Sequence, residues 1–287
     1  MQYGLDVAIT GAYAQASLLA DLAALAEDAG WDGFFVQGGL LCTDSEPLID
    51  PWIALSAIAL RTRRLRLGVF MTPLAAYRPW HVARLAMSLD HLSQGRLIFG
   101  AGLGERAGAF EQVGEDADPR RRAEKLDEGL AILQMLWSGD VVSFRGQQYQ
   151  MTDAQLAPKP LQSPSIPIWV AGYWPHRKPL RRAARFDGIY IGSQTANGDP
   201  LTPFDLQEAL AYIKTLRTAS SPFDVAFAGE TPADAKKGAT LAQPYMAAGV
   251  TWWLEGVWPE RGSVEQMRER IRQGPPRRPA NTPSPTS

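Results

Sequence analysis

Eight short apolar runs, each followed by an amphipathic helical segment, predict an α/β chain folded as one (β/α)8 TIM barrel with an insertion after strand 4. Two further observations agree with this. Clusters of glycine, threonine and tryptophan fall just past several of the runs, where that fold gathers its ligand-binding loops. The 287 residues, 45% of them hydrophobic, also suit the length and core content of one such barrel.

The first strand is read at residues 3–9. Residues 17–29 follow as a helix, with Leu18, Leu19, Leu22, Leu25 and Ala26 at helical spacing and Gly30 as the stop signal. Residues 33–37 (GFFVQ) form a second buried strand. A helix then opens at Asp50-Pro51 and runs through Leu60; an aspartate cap before a first-turn proline is a strong start signal. Strand three is 65–71, its helix 79–92, and strand four 96–101. From 105 to 164 the alternation breaks into a polar loop, a long helix near 120–136 and a strand-like pair, 141–144 and 147–151, around Arg145-Gly146. That is too much for an ordinary loop and reads as an insertion carried by the scaffold. Alternation resumes with strand 166–171 and helix 176–185, then strand 188–191 and helix 203–216. The last units are strand 223–228 with helix 233–248 and strand 250–254 with helix 264–272. A single domain over 1–273 results, and the Pro-, Ser- and Arg-rich residues 274–287 read as a disordered tail.

Bulk properties narrow the function classes. A formal net charge of −1 argues against a large electrostatic commitment to nucleic acid or anionic membrane. No apolar run approaches the length of a bilayer span. The start, MQYGLDVAIT, lacks a basic region followed by an apolar core, so no secretory signal is expected. A single cysteine, Cys42, excludes an internal disulfide and any Cys-rich metal site. The expectation is a soluble cytoplasmic enzyme.

The most informative stretch runs from Arg64 to Gly104, where two apolar strands end in Met71-Thr72-Pro73 and Gly100-Ala101-Gly102-Leu103-Gly104. The glycine cluster is not a dinucleotide fingerprint: G-x-G-x-x-G needs glycine at its sixth place, and that place is Glu105. No Walker A sequence occurs. Two readings of the alternating glycines stay open: a tight turn closing a barrel strand, or close approach of backbone to a planar ring or phosphate. His81, His91 and His176 form no helical metal pair and no His-rich cluster, so no metal is expected. No G-x-S-x-G elbow appears, and Cys42 has no sequence-local base. Trp31, Trp52, Trp80, Trp137, Trp252 and Trp253 read as packing residues. Trp174 lies just past strand five in Ala171-Gly172-Tyr173-Trp174-Pro175, where it either walls a pocket or packs the loop.

Together these segments resemble the bacterial luciferase-like family of flavin- and F420-dependent oxidoreductases. The likeness is carried by Asp50-Pro51-Trp52, Thr62-Arg63-Arg64-Leu65-Arg66-Leu67-Gly68, Thr72-Pro73, Arg78-Pro79-Trp80, Ser88-Leu89-Asp90-His91-Leu92-Ser93 and Gly95-Arg96-Leu97. It continues in the glycine cluster, Arg122-Ala123-Glu124-Lys125-Leu126-Asp127-Glu128, Leu136-Trp137-Ser138-Gly139 and Pro158-Lys159-Pro160. Ile166-Pro167-Ile168-Trp169-Val170-Ala171-Gly172 and Arg181-Arg182-Ala183-Ala184-Arg185-Phe186-Asp187-Gly188 complete the ordered set. It covers residues 1–192 well and the last two βα units more loosely.

The resemblance implies a barrel that binds FMN or the deazaflavin F420 across its strand C-termini. In the family, strand three ends in a bulge, often with a non-prolyl cis peptide, that supports the isoalloxazine ring. Val69 and Phe70 are the matching residues, with Met71 and Thr72 beside them. Gly102, Leu103 and Gly104, and likewise Val170, Ala171 and Gly172, match cofactor-contacting segments; Trp174 joins them as a cofactor-side aromatic. Glu105 matches a position where relatives carry an acidic active-site residue, and it is the general acid/base candidate; a solvated loop glutamate is the alternative.

One loop departs from the family. Relatives carry an acid followed by histidine after strand two, whereas this chain reads Gln37-Gly38-Gly39, again on the cofactor side. Three readings follow: an enlarged pocket, proton transfer moved to Glu105, Tyr77 or the substrate, or a protein that binds without redox activity. The leading expectation is hydride transfer between reduced F420 or FMN and an activated C=C or C=N bond of a small-molecule organic substrate. An FMN-dependent monooxygenase served by a separate flavin reductase is the alternative, and a non-catalytic flavin-binding or assembly protein is the alternative of another class. The family likeness adds a homodimer as the expected assembly.

Overall fold

The computed structural model describes residues 1–41, 46–104 and 107–277. Its frame is a closed parallel barrel. The strands are β1 (Gln2–Val7), β2 (Gly33–Gln37), β3 (Arg66–Phe70), the two-residue β4 (Thr72–Pro73) and β5 (Phe99–Gly102). An antiparallel hairpin, β6 (Val142–Arg145) and β7 (Gln150–Ala154), stands apart from the barrel. β8 (Ile168–Gly172), β9 (Gly188–Ile191), β10 (Asp224–Gly229) and β11 (Trp252–Val257) complete the set. The hydrogen-bonded order is β3-β2-β1-β11-β10-β9-β8-β5-β4. Because β4 continues β3 past Met71, and Leu67 pairs with Leu97 just ahead of β5, the two ends meet and the sheet has eight staves.

The helices are α1 (Ala16–Asp28), α2 (Pro51–Arg61), α3 (Pro79–Leu92), the short α4 (Ala107–Gln112) and α5 (Pro119–Trp137), followed by α6 (Arg177–Ala183), α7 (Pro203–Leu216), α8 (Ala235–Ala248) and α9 (Val264–Arg272). Their starts follow the local chemistry the sequence advertises. Asp50 accepts from the Trp52 and Ile53 amides ahead of Pro51, and Asp118 does the same for Arg120 ahead of Pro119. Thr202–Asp205 and Ser263–Gln266 form reciprocal capping boxes.

Several boundaries differ from the sequence reading. β1 stops at Val7, and the continuous ladder of the fourth stave starts at Phe99, preceded by a single Leu67–Leu97 bridge. Within 105–164, α5 packs on α3 as a member of the helix ring, so the surplus over a plain barrel is α4 and the hairpin. Glu128 on α5 fastens that hairpin by accepting from the amides of Gln147, Gln148 and Tyr149. Of the C-terminal segment, Pro276 accepts from the Tyr3 hydroxyl and Arg277 pairs with Asp32; residues 278–287 lie outside the described residues.

Alternation along the staves makes two cores. Leu5, Val7, Phe34, Val36, Leu67, Val69, Phe99 and Val170 face outwards and pack under the helices. Phe35, Phe70, Ile98, Trp169, Ala226, Trp252 and Leu254 face inwards and fill the barrel. At the strand N-terminal end, buried polar groups tie the frame. Glu27 accepts from the amides of Arg63, Arg64 and Leu65, Asp90 from those of Leu161 and Gln162, and the Arg96 guanidinium donates to the carbonyls of Ala59, Thr62, Leu65 and Ser93. Among the described residues, no helix is long and apolar enough to cross a membrane.

Candidate functional site

The barrel interior is plugged by aromatic rings, and the candidate site is the mouth above that plug. Phe35 and Phe70 stack with centroids 4.3 Å apart and planes 8° from parallel. Trp169 lies 5.8 and 5.3 Å from the two rings, and Trp252 stands edge-on to Phe35 at 5.6 Å. Such pairs add about 0.5–1.5 kcal/mol each beyond their area burial. Side chains this large fit where neighbouring staves give up theirs: a Cβ at Gly100 would collide with Phe70 and one at Gly33 with Phe35, while one at Gly68 would run into the Ile98 carbonyl and press on both rings.

Over the plug the chain bends sharply. The Phe70–Met71 peptide is cis, one bond past the Val69–Phe70 pair that the family likeness singles out, and the ladder breaks at Met71 before resuming at Thr72. Met71 and Tyr190 pack on the plug from above, with the Tyr190 ring 5.6 Å from Phe70. On the next stave, a Cβ at Gly102 would sit 3.0 Å from Met71 Cβ and 3.5 Å from Ala171 Cβ. A side chain there would press on Met71, so glycine is what lets β5 pass this close to the cis bend. The Thr72 hydroxyl is buried without a hydrogen-bond partner among the described residues.

The glycine cluster has two anchors. Gly104 takes φ +79°, a left-handed turn that its lack of a side chain permits. Arg122, buried on α5, donates to the carbonyls of Leu103 (3.4 Å) and Gly104 (2.9 Å), while its guanidinium lies over the Phe110 ring. In the sequence Arg122 is one position of a family motif; in the fold it fixes the loop's position.

The loop after β2 has a steric cause for its departure from the family. The Gly38 amide donates to the Phe70 carbonyl at 3.3 Å, and a Cβ at 38 would run into the Met71 carbonyl. Gly39 has room: its nearest neighbour is Leu48 Cδ1 at 4.0 Å. Gln37 lies in register with Phe70, so Gln37, Gly38 and the cis bend form one unit.

The remaining sequence candidates distribute as follows. Val69 and Val170 face the helix layer, leaving only their main chain beside the mouth. Ala171 and Gly172 end β8 as expected. Trp174 is 7% exposed and covered by Arg177, whose guanidinium lies 4.7 Å from its ring and 4.2 Å from that of Tyr212. The Tyr77 hydroxyl is pushed above the ordinary phenol range by burial and then by Asp50, so it stays protonated. Glu105 and Cys42 lie outside the described residues. His81 and His176 stand at the starts of α3 and α6, and His91 Nε2 lies 2.9 Å from the Lys159 carbonyl.

Sequence reasoning missed three residues. Asp6 ends up inside the barrel near the C-terminal end of β1, 2% exposed, with the Tyr190 hydroxyl 3.1 Å from Oδ2. Burial pushes its carboxyl up to about 7, against the lowering effect of that hydrogen bond. Trp258 lays its indole where a Cβ on Gly256 would be, and Gly256 is the register partner of Asp6. The signal for Asp6 was a lone acid in an apolar strand; nothing short-range marks Tyr190 or Trp258. Two shallow clefts of about 280 and 260 Å³ lie elsewhere, beside Lys214, Arg217 and Phe223 and beside Met1, Tyr3 and Met246, near the strand N-termini.

An aromatic floor with a glycine at its edge suits the flat face of a planar ring. The fold is a (β/α)8 barrel. The luciferase-like monooxygenase family model matches residues 5–201, and the chain belongs to that family. It is 30% identical over 161 residues to the F420-dependent glucose-6-phosphate dehydrogenase of Amycolatopsis mediterranei (strain U-32), covering 55% of this chain and 48% of the relative. It is 34% identical over 126 residues to the limonene 1,2-monooxygenase of Rhodococcus erythropolis, covering 44% of this chain and 31% of that enzyme. The chain spans about half the length of the curated relatives it matches. Among solved structures, an F420-dependent secondary alcohol dehydrogenase in complex with an F420-acetone adduct superposes with a TM-score of 0.79 at 17% identity, over 96% of this chain and 98% of that one.

The steric account separates the two loop glycines. Gly38→Ala is expected to cost about 2 kcal/mol and lower the thermal midpoint by roughly 4–8 °C, whereas Gly39→His leaves the midpoint within a degree or so of wild type. Differential scanning calorimetry checks both; equal midpoints would refute the proposed contact with Met71.

Proposed function

We propose that the protein is an oxidoreductase that uses a reduced deazaflavin of the F420 type, or FMN, to move a hydride to or from an activated C=C or C=N bond of a small organic substrate. The observation that carries this reading is the stacked Phe35–Phe70 floor beneath a mouth edged by Met71, Ala171 and Gly102. When bound, the cofactor would supply the hydride, which carries both electrons of the reduction. The chain's own residues do the rest. Phe70, Met71 and Tyr190 offer the surface on which a ring lies, and the Gly102–Gly104 backbone, held by Arg122, borders it. Thr72 has a hydroxyl to give a ring heteroatom. Tyr77 remains a neutral phenol. The names of the F420-dependent dehydrogenases among its relatives support the deazaflavin choice.

The test is a fluorescence titration of the pure protein with F420 and with FMN, followed by reoxidation of the bound reduced cofactor. Saturable one-to-one binding, with reoxidation only on addition of an organic acceptor, is the expected result. Rapid oxygen-dependent reoxidation would replace hydride transfer by the two-component monooxygenase reading, which needs a separate flavin reductase. Failure to bind either cofactor would contradict both enzymatic readings.

We also propose a homodimer. Ile53 and Leu60 on α2 are 61% and 65% exposed, and Leu85 and Leu92 on the neighbouring α3 extend the same apolar stripe. In sedimentation at micromolar concentration, Leu60→Glu is expected to halve the mass of the wild-type species; a monomeric wild type would remove the dimer.

A further inference from the structure

Reduction of a C=N or C=C bond needs a proton as well as a hydride, and Gly38-Gly39 offers no acid or imidazole to supply it. The following inference rests on the redox reading above and assigns its proton. We propose that Asp6 and Tyr190 form a proton relay in the barrel mouth, in which the Tyr190 hydroxyl hands its proton to the substrate and takes the one held by Asp6.

The geometry is specific. Asp6 is the penultimate residue of β1, buried, with Oδ2 at 3.1 Å from the Tyr190 hydroxyl and Oδ1 without a hydrogen-bond partner among the described residues. A charged carboxylate with one bare buried oxygen is costly, whereas a neutral carboxyl tolerates that setting. The groups around it are uncharged. β2 presents Phe35 in register with Asp6 and Gln37 beyond it, β11 presents Gly256 with Trp258 over it, and β9 presents Tyr190. The ionisable side chains on inward positions of β3 and β10 are Arg66 and Asp224, at the opposite ends of their strands, and they balance each other. Burial and Tyr190 therefore set the Asp6 carboxyl, at about 7, where a group gives up and regains a proton readily under neutral conditions. Tyr190 is only partly buried and packs on Phe70, so it links the plug to the mouth.

The step balances. The π bond takes a hydride and its two electrons at carbon from the reduced cofactor, and the adjoining nitrogen or carbon takes the Tyr190 proton. The phenolic oxygen takes the Asp6 proton in the same movement. Tyr190 is then again an O–H donor, now to a carboxylate, and water returns one proton to Asp6 before the next turnover.

Two measurements on the full chain test the relay. The first needs no cofactor: aspartate labelled with carbon-13 at its carboxyl is followed by NMR against pH. One resonance is expected to titrate near pH 7, to vanish in Asp6→Asn, and to move to higher pH in Tyr190→Phe, which lacks the donor that favours the charged form. A resonance lost in Asp6→Asn that titrates near pH 4 would overturn the relay. In the second, reduced cofactor bound to the protein is mixed with acceptor in a single turnover. Asp6→Asn and Tyr190→Phe are each expected to slow it about 100-fold or more, and the wild-type rate alone falls as pH rises through 7. Normal turnover and pH profile in both variants would overturn the relay and leave the cofactor reading standing. Absence of cofactor binding in wild type would overturn both.

Discussion

Stacking of Phe35 on Phe70 inside a ring of eight strands is the contact on which the rest of the structure depends. Two rings 4.3 Å apart, with Trp169 and Trp252 against them, occupy the space that a barrel usually fills with branched aliphatic side chains. The strands answer with glycine at the points of contact, Gly33, Gly68 and Gly100 among them. Close packing makes this mutual: neither the rings nor the glycines can change without the other. The plug also fixes the height of the mouth, because Met71 and Tyr190 rest directly on it.

From that height follow the chemical properties of the mouth. An aromatic floor excludes water and lowers the local dielectric, which keeps Asp6 protonated far above the ordinary carboxylate range. Beside it the β2 loop meets the cis bend so closely that a side chain at residue 38 would force the Met71 carbonyl to shift. The acid–histidine pair of relatives is thus incompatible at its first position with the way this loop meets Met71. A displaced proton source on β1 and β9 is a coherent answer to a loop that has lost its own.

Much of the frame was legible in the sequence, for identifiable reasons. Asp50-Pro51, Pro203 after Thr202 and Ser263 with Gln266 are local signals that act within one turn, and the helices start at them. The motifs that carry the family likeness are largely frame as well: Arg96, Asp90 and the Arg63–Leu65 amides hold strand N-termini and helix ends together at the face opposite the mouth. The mouth was less legible because it is assembled from residues far apart. Asp6 and Tyr190 are 184 positions apart in sequence, and neither has a local pattern around it. Trp174 illustrates the converse: its place just past β8 invited a pocket role, while Arg177 covers its ring. The Phe70–Met71 bend was anticipated in kind, one peptide early.

The central claim is that the gap above the plug, between Met71 and Ala171, is where a flavin-like ring sits. Gly102→Val tests it most directly, since the added side chain enters that gap, its Cβ 3.0 Å from Met71 Cβ so that Met71 must shift by a few tenths of an ångström, while residue 102 keeps its ladder place beside Pro73. Isothermal titration of F420 and FMN into the variant, with its thermal midpoint measured alongside, is the measurement. The account predicts at least a tenfold loss of affinity for the cofactor that wild type binds, in a protein that still unfolds cooperatively at a lowered midpoint. Unchanged affinity in a folded Gly102→Val protein would contradict it.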